Sequence, residues 1–177
     1  MSSVLHDSSI QIDAPLEEFS KCHHEFVSKL HAALYLPDLV NSAARARAMA
    51  ADLLALFRQG LLTHHEDEER ELFPIVQHAA KDGEERAEVD AMVAQLVREH
   101  RTVEQLWKRI EPAVSAVSEG QTPAIDVALL EEIVQHVFAH VHFEEHDFLP
   151  LAQRILSRHS AEMAALGMAL HTRHETN

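Results

Sequence analysis

His64-His65-Glu66-Asp67-Glu68-Glu69-Arg70-Glu71-Leu72-Phe73-Pro74 and His140-Val141-His142-Phe143-Glu144-Glu145-His146-Asp147-Phe148-Leu149-Pro150 are two near-copies of one phrase. Each opens on a histidine with a glutamate four residues on, runs through a second glutamate to a Leu/Phe pair, and closes on a proline ten residues past the histidine. On a helix, residues i and i+4 lie one above the other. Each copy therefore directs an imidazole and a carboxylate at one point, which is the arrangement of a metal-ligand pair.

Outward from these phrases the chain reads as helix. It has 177 residues with only 4 Gly and 6 Pro, and Ala, Leu, Glu and Arg, all strong helix formers, are abundant. The length suits one domain with a substantial core. Four long segments are expected, with no strand alternation and no linker. The first runs from about Pro15 to Leu36, with Leu16, Phe19, His23, Phe26, Leu30 and Leu34 on one stripe, Asp13 and Pro15 as start signals and Pro37 as its end. The second runs from about Ser42 towards Ala80 with Leu54, Phe57, Leu61, His64, Glu68, Leu72 and Ile75 aligned, and a kink or local break is expected at Gly60 and Pro74. The third, about Glu84 to Val117, aligns Val89, Val93, Leu96, His100, Val103, Trp107 and Ile110. The fourth is expected to start at Thr122-Pro123, an N-cap and an N1 proline, and aligns Leu129, Ile133, Val137, His140, Glu144, Phe148 and Leu151. A short extra helix is expected from Ser160 to about His171, either packed on the others or forming a homodimer contact through Met163, Leu166 and Leu170.

All four apolar stripes are interrupted near their middle by ligand-type residues: His23, His64 with Glu68, His100, and His140 with Glu144. Burying such groups unpaired costs several kcal/mol, so the interruptions require a common partner. A cation supplies it. His23 precedes His64 by 41 residues and His100 precedes His140 by 40, so each half gives one lone histidine and one His-x-x-x-Glu pair. Two such hairpins place four His and two Glu around a pseudo-two-fold site. Six bulky ligands exceed what one ion takes, whereas two ions bridged by both carboxylates and an oxygen use them all. Mixed imidazole and carboxylate donors suit iron or manganese, with zinc also compatible.

Charge and cysteine content narrow the partners. With 15 Lys+Arg against 29 Asp+Glu the formal charge is −14, which disfavours nucleic acid and anionic lipid surfaces, since both need clustered basic residues. The single cysteine, Cys22, cannot form an internal disulfide and reads as a small buried residue or, less simply, a reactive thiol. The N-terminus lacks a basic, apolar leader and no apolar run has transmembrane length. A cytoplasmic protein is the expectation.

At these residues the sequence resembles the hemerythrin-like family, whose HHE cation-binding domain carries an H…HxxxE…H…HxxxE pattern. The resemblance spans about Glu17 to Leu151, and the wording around Cys22-His23, Phe26 and Leu30 favours His23 over His24. It implies an up-and-down antiparallel four-helix bundle over residues 13–158, followed by a short helix and tail over 159–177. It also implies a non-haem centre of two iron ions with a bridging oxygen, held by His23, His64, Glu68, His100, His140 and Glu144, the two glutamates bridging, and reacting with dioxygen or nitric oxide. Oxygen-carrier members place two histidines one turn apart on the third helix and end with His-x4-Asp, whereas here Leu96 and Glu104 flank His100. The departure leaves each iron about five-coordinate and points to the bacterial branch of sensors, buffers and iron-centre repair factors. The extra N-terminal cysteine-bearing domain of the repair proteins has no counterpart in the 22 residues before His23.

Other readings of the same residues stay in view. A di-metal oxidoreductase, reducing nitric oxide or peroxide, would need a redox partner protein. A metal-free interaction module would leave the histidines paired with glutamates. His65 with Glu69 repeats the i,i+4 spacing, but Val141 stands at the matching place in the second copy. His136, one turn before His140, is a supporting histidine or a fifth imidazole ligand. Glu69, Glu104 and Glu145 are solvated or accept the outer N–H of ligating imidazoles. His142-Phe143-Glu144-Glu145-His146 spells an inverted zinc-peptidase motif, yet His142 lies about 200° from His140 around a helix. No histidine has a glutamate three residues before it, which excludes a ferritin-type centre. His6, His31, His78, His159, His171 and His174 read as surface groups.

Overall fold

Two proline-ended phrases and one glycine shape how the helices are wound, and through that winding which side chains face inward. In the computed structural model, which describes residues 15–159 and side chains from residue 23, every regular element is helical and no strand occurs. The all-α class expected from the sequence is what the described residues have. Asp13, the side chains of Leu16, Phe19 and Cys22, the histidines at 6, 171 and 174, and the expected C-terminal helix lie outside the described residues.

The chain divides into two compact units, Met1–Arg45 and Ala46–Asn177. In the first unit, α1 (Pro15–Ala33) ends in a turn, and α2 starts at Leu36 and continues to Ala55. Pro37, expected to terminate the first helix, instead sits in the first turn of the second, where its missing N–H has no helical partner to lose. The stripe residues Phe26, Leu30 and Leu34 are exposed.

In the second unit, the helix of α2 runs on without a break through a π-helical turn Leu56–Leu61, α3 (Leu62–Asp67), a second π turn Glu68–Leu72, and α4 (Phe73–Ala79). The i→i+5 bonds are explicit: Leu62 N–H donates to Phe57 O, and Phe73 N–H to Glu68 O. Widening the helix just before Pro74 removes the clash that a proline ring makes with the carbonyl four residues back. The kink or break expected at Gly60 and Pro74 is thus a pair of widened turns. The second copy repeats the device, with α6 (Val127–Phe143), a π turn Glu144–Phe148 and α7 (Leu149–Leu156) carrying Pro150 near its start.

Between them stands α5 (Glu84–Ser118), whose expected stripe is buried throughout, from Val89 to Ile110. Gly83 precedes it with φ of +98°, a conformation that L side chains rarely adopt. The fourth helix begins later than Thr122-Pro123 suggested. Asp126 is its N-cap, with the Leu129 N–H donating to Oδ1 at 3.0 Å, and that side-chain acceptor sets the start. Arg158 bonds Glu85 through both guanidinium nitrogens at 3.0 and 2.6 Å, tying the end of α7 to the start of α5.

Two apolar clusters fill this unit. One gathers Phe73, Val76, Val89, Leu96, Phe148, Leu151 and Ile155; the other gathers Leu54, Phe57, Val103, Trp107, Ile110, Leu129 and Ile133. Phe73 and Phe148, from the two phrases, meet edge to face at 5.3 Å, and Phe57 stacks on Trp107 at 3.9 Å. Along α5, His100 falls between the segments that feed the two clusters.

Candidate metal centre

The buried polar and charged residues of the described chain are His65, Glu68, His100, His140 and Glu144, a single polar layer between the two apolar clusters. α5 gives His100, α6 gives His140, the π turn after α6 gives Glu144, and α3 with its following π turn gives His65 and Glu68. Ring centroids of His100 and His140 are 4.8 Å apart, so the hairpin of α5 and α6 brings its two histidines level.

The potential ligand atoms fall into two groups, each within 4.8 Å: His65, His100 and His140 in one, and His64, Glu68 and Glu144 in the other. Glu68 spans them. Its Oε1 lies 3.0 Å from His64 Nε2 and its Oε2 lies 3.2 Å from His100 Nε2. His140 Nε2 is 3.8 Å from Glu144 Oε2. Despite these approaches, none is aligned as a hydrogen bond: both oxygens of Glu68, both nitrogens of His65, and Nε2 of His100 and His140 are buried with no hydrogen-bond partner. A buried polar atom left in that state costs about 1–3 kcal/mol, so six of them at one point form an arrangement that a cation would relieve.

Carboxylates behind the rings fix which nitrogen faces the layer. His100 Nδ1–H donates to Glu69 Oε1 at 2.8 Å, and His140 Nδ1–H to Glu99 Oε2 at 3.2 Å. With Nδ1 carrying the proton, each Nε2 presents its lone pair inward, as a ligand must. Arg101 bonds both Glu69 and Glu104 and ties these outer carboxylates together.

Electrostatics prepare the same donor set. Desolvation, reinforced by His100 and His140, lowers the His65 imidazole to about 3 and keeps it neutral. Desolvation also lowers His140, against the pull of Glu99. The close approach of the Glu68 carboxylate raises His64, against desolvation. Burial, and then the neighbouring Glu68, raise Glu144 to about 8, whereas Glu68 overcomes its own desolvation through His100, His64 and Glu144 and stays low. Two carboxylates at this separation retain one proton between them, and that proton must leave when both act as ligands.

Of the residues singled out in the sequence, Glu68, His100, His140 and Glu144 come together in the layer, and His64 reaches its edge with a side chain 57 % exposed. His23 stands on α1 in the first unit, exposed, and belongs to neither ligand group. Two residues at the site stand outside the ligand set expected from the sequence, His65 and Glu99. His65 ranks behind His64 in the sequence because the second copy has Val141 at the matching place. It is buried because the π turn Leu56–Leu61 adds a residue: eight positions from Phe57 then act as seven, about two turns, and place His65 rather than His64 on the Phe57 face. Phe73 and Val76 replace Leu72 and Ile75 in the core because the second π turn, Glu68–Leu72, adds another residue. Glu99 was not singled out, although its place directly before His100 could have drawn attention. Of the two readings of Glu69, solvated or accepting an imidazole N–H, the structure has the second. His136 is half-buried, and His142 stacks on His146 at the surface, as a decoy motif should.

Comparison with known proteins gives a family and little beyond it. Residues 11–152 match the family described as Hemerythrin HHE cation binding domain. A Haemophilus influenzae protein described as an uncharacterized protein is 23 % identical over 134 residues, covering 74 % of this chain and 74 % of its own. No solved structure matches.

Proposed function

Because the chain belongs to the hemerythrin HHE cation-binding domain family, we propose that its polar layer holds two non-haem iron ions and binds dioxygen or nitric oxide, as a sensor, buffer or repair factor for iron centres. The observation that carries this reading is Glu68, whose two oxygens approach histidines of different ligand groups at 3.0 and 3.2 Å. A carboxylate so placed would serve both ions. Glu144, beside it, supplies the second carboxylate once the shared proton departs. His100 and His140 offer oriented Nε2 lone pairs, His64 offers Nε2 at the rim, and His23 completes the proposed set on its sequence position alone. Iron held there would supply open coordination positions and one-electron redox chemistry for a diatomic ligand. Phe73 and Phe148 wall one side and limit water. The residues proposed to form this domain are 13–158.

Anaerobic reconstitution with ferrous iron, followed by dioxygen or nitric oxide, tests the reading. New visible absorption that saturates in proportion to bound iron is expected. Identical spectra before and after both gases would refute gas binding. Sustained consumption of nitric oxide or peroxide with a supplied reductant would move the protein to the oxidoreductase class.

A further inference from the structure

The family pattern accounts for His64 in the first phrase and gives no task to His65, yet His65 is the more deeply buried, 1 % exposed. Its ring stacks on His100 at 3.8 Å and meets His140 at 5.5 Å, and both its nitrogens are without hydrogen-bond partners. A neutral imidazole whose only task was to fill space would be an expensive choice there, since two orphaned polar atoms accompany its burial. The three rings also share an outer pattern. Behind Nδ1 of His100 lies Glu69 at 2.8 Å, behind Nδ1 of His140 lies Glu99 at 3.2 Å, and behind Nδ1 of His65 lies Glu104 at 3.9 Å. Arg101 joins the first and third of these carboxylates. A carboxylate behind each ring orients a histidine that uses its other nitrogen as a ligand.

We infer that His65 is a metal ligand additional to His64, so that the centre has one position rich in imidazole, formed by His65, His100 and His140, and one rich in carboxylate, formed by His64, Glu68 and Glu144. This rests on the di-metal reading above and deepens it. Donors sharing one ion at roughly 2.1 Å are at most roughly 4.2 Å apart, so the 4.8 Å grouping needs only a modest turn of the rings. The parallel stack of His65 on His100 opens in that turn, and the His65 Nδ1–H closes on Glu104. The two positions are chemically unlike. The imidazole-rich one prefers borderline cations such as zinc or cobalt, and the carboxylate-rich one prefers harder ones.

Titration of the metal-free full chain with Co2+, followed by ligand-field absorption and calorimetry, tests the assignment. In His65→Asn one of the equivalents taken up by the unaltered protein is expected to weaken at least roughly tenfold with altered ligand-field bands, while the other keeps its affinity. Unchanged affinities and bands would overturn the assignment. Glu104→Gln, which leaves the buried layer intact, provides a check that does not depend on the fold tolerating a change at His65. It is expected to weaken the same equivalent about tenfold, and no weakening would count against the inference. Should the unaltered chain take up one ion only and His65→Asn lose it, the pair fails while His65 stands as a ligand. Uptake of no ion overturns both.

Discussion

Glu68 carries more of the chemistry than any other side chain, because it faces both ligand groups and is held as a carboxylate although buried. Despite its desolvation, Glu68 is held below the ordinary carboxylate range by His100 and His64, so replacing it by glutamine removes a stabilised charge. Metal-free Glu68→Gln is expected to melt below the parent, and its affinity for iron to fall on the order of 100-fold, both by direct measurement. Metal-free Glu68→Gln melting above the parent would contradict this account of the layer. Glu144 governs the pH response. Its folded carboxyl is raised from 4.5 to about 8, so the folded chain keeps a proton that the unfolded chain has lost, and this stabilisation drains away as pH climbs toward 8. His65 acts oppositely: lowered from 6.5 to about 3, it costs stability as pH falls below 6.5. The two oppose one another in mild acid, and above pH 6.5 the decline belongs to Glu144, joined by the raised His64. Metal-free protein is therefore expected to lose on the order of 1 kcal/mol between pH 6.5 and about 8 in urea titrations, and Glu144→Gln to lose much less. Equal slopes in the two proteins would remove Glu144 from this role.

At the scale of elements, the two phrases act as widened helical turns that end against a proline. The spacing of His100 within α5 and of His140 within α6 was legible in the sequence, because both helices wind regularly up to those residues. The face presented by α3 was not, since the π turn at Leu56–Leu61 shifts which histidine of the pair faces inward and no periodicity rule marks where the extra residue falls. Gly60 and Pro74 hinted at irregularity there without giving its sense. The fourth helix shows a simpler failure: Thr122-Pro123 spells a start, yet the Asp126 carboxylate reaches the Leu129 N–H and caps the helix four residues on. Asp126→Ala is expected to cost about 1 kcal/mol of stability in denaturant titration without lowering metal content. Phe73→Ala, which opens the aromatic contact with Phe148 and the wall beside His100, is expected to cost about 3–5 kcal/mol. A loss below 1 kcal/mol would show that the proline-ended turns do not organise the core.

For the whole molecule, a polar layer of five buried residues between two apolar clusters means that metal and fold are coupled. A cation that binds only the folded chain adds about 2.7 kcal/mol when free metal is 100 times its dissociation constant. Removal by chelator is expected to lower the melting temperature and to expose the pH dependence attributed to Glu144. Interrupted stripes in α5 and α6, and the two His-x-x-x-Glu spacings, made most of this layer readable from the chain alone. Which histidine of the His64-His65 pair goes inward depended on helix winding, and that Glu99 serves His140 rather than its neighbour His100 depended on how α5 lies against α6. The most direct test of the centre is metal analysis of protein purified without chelator and loaded with iron. About two ions per chain are expected, falling to one or fewer in Glu68→Ala. Less than about one ion per chain in the unaltered protein, with its helices intact, would contradict the account.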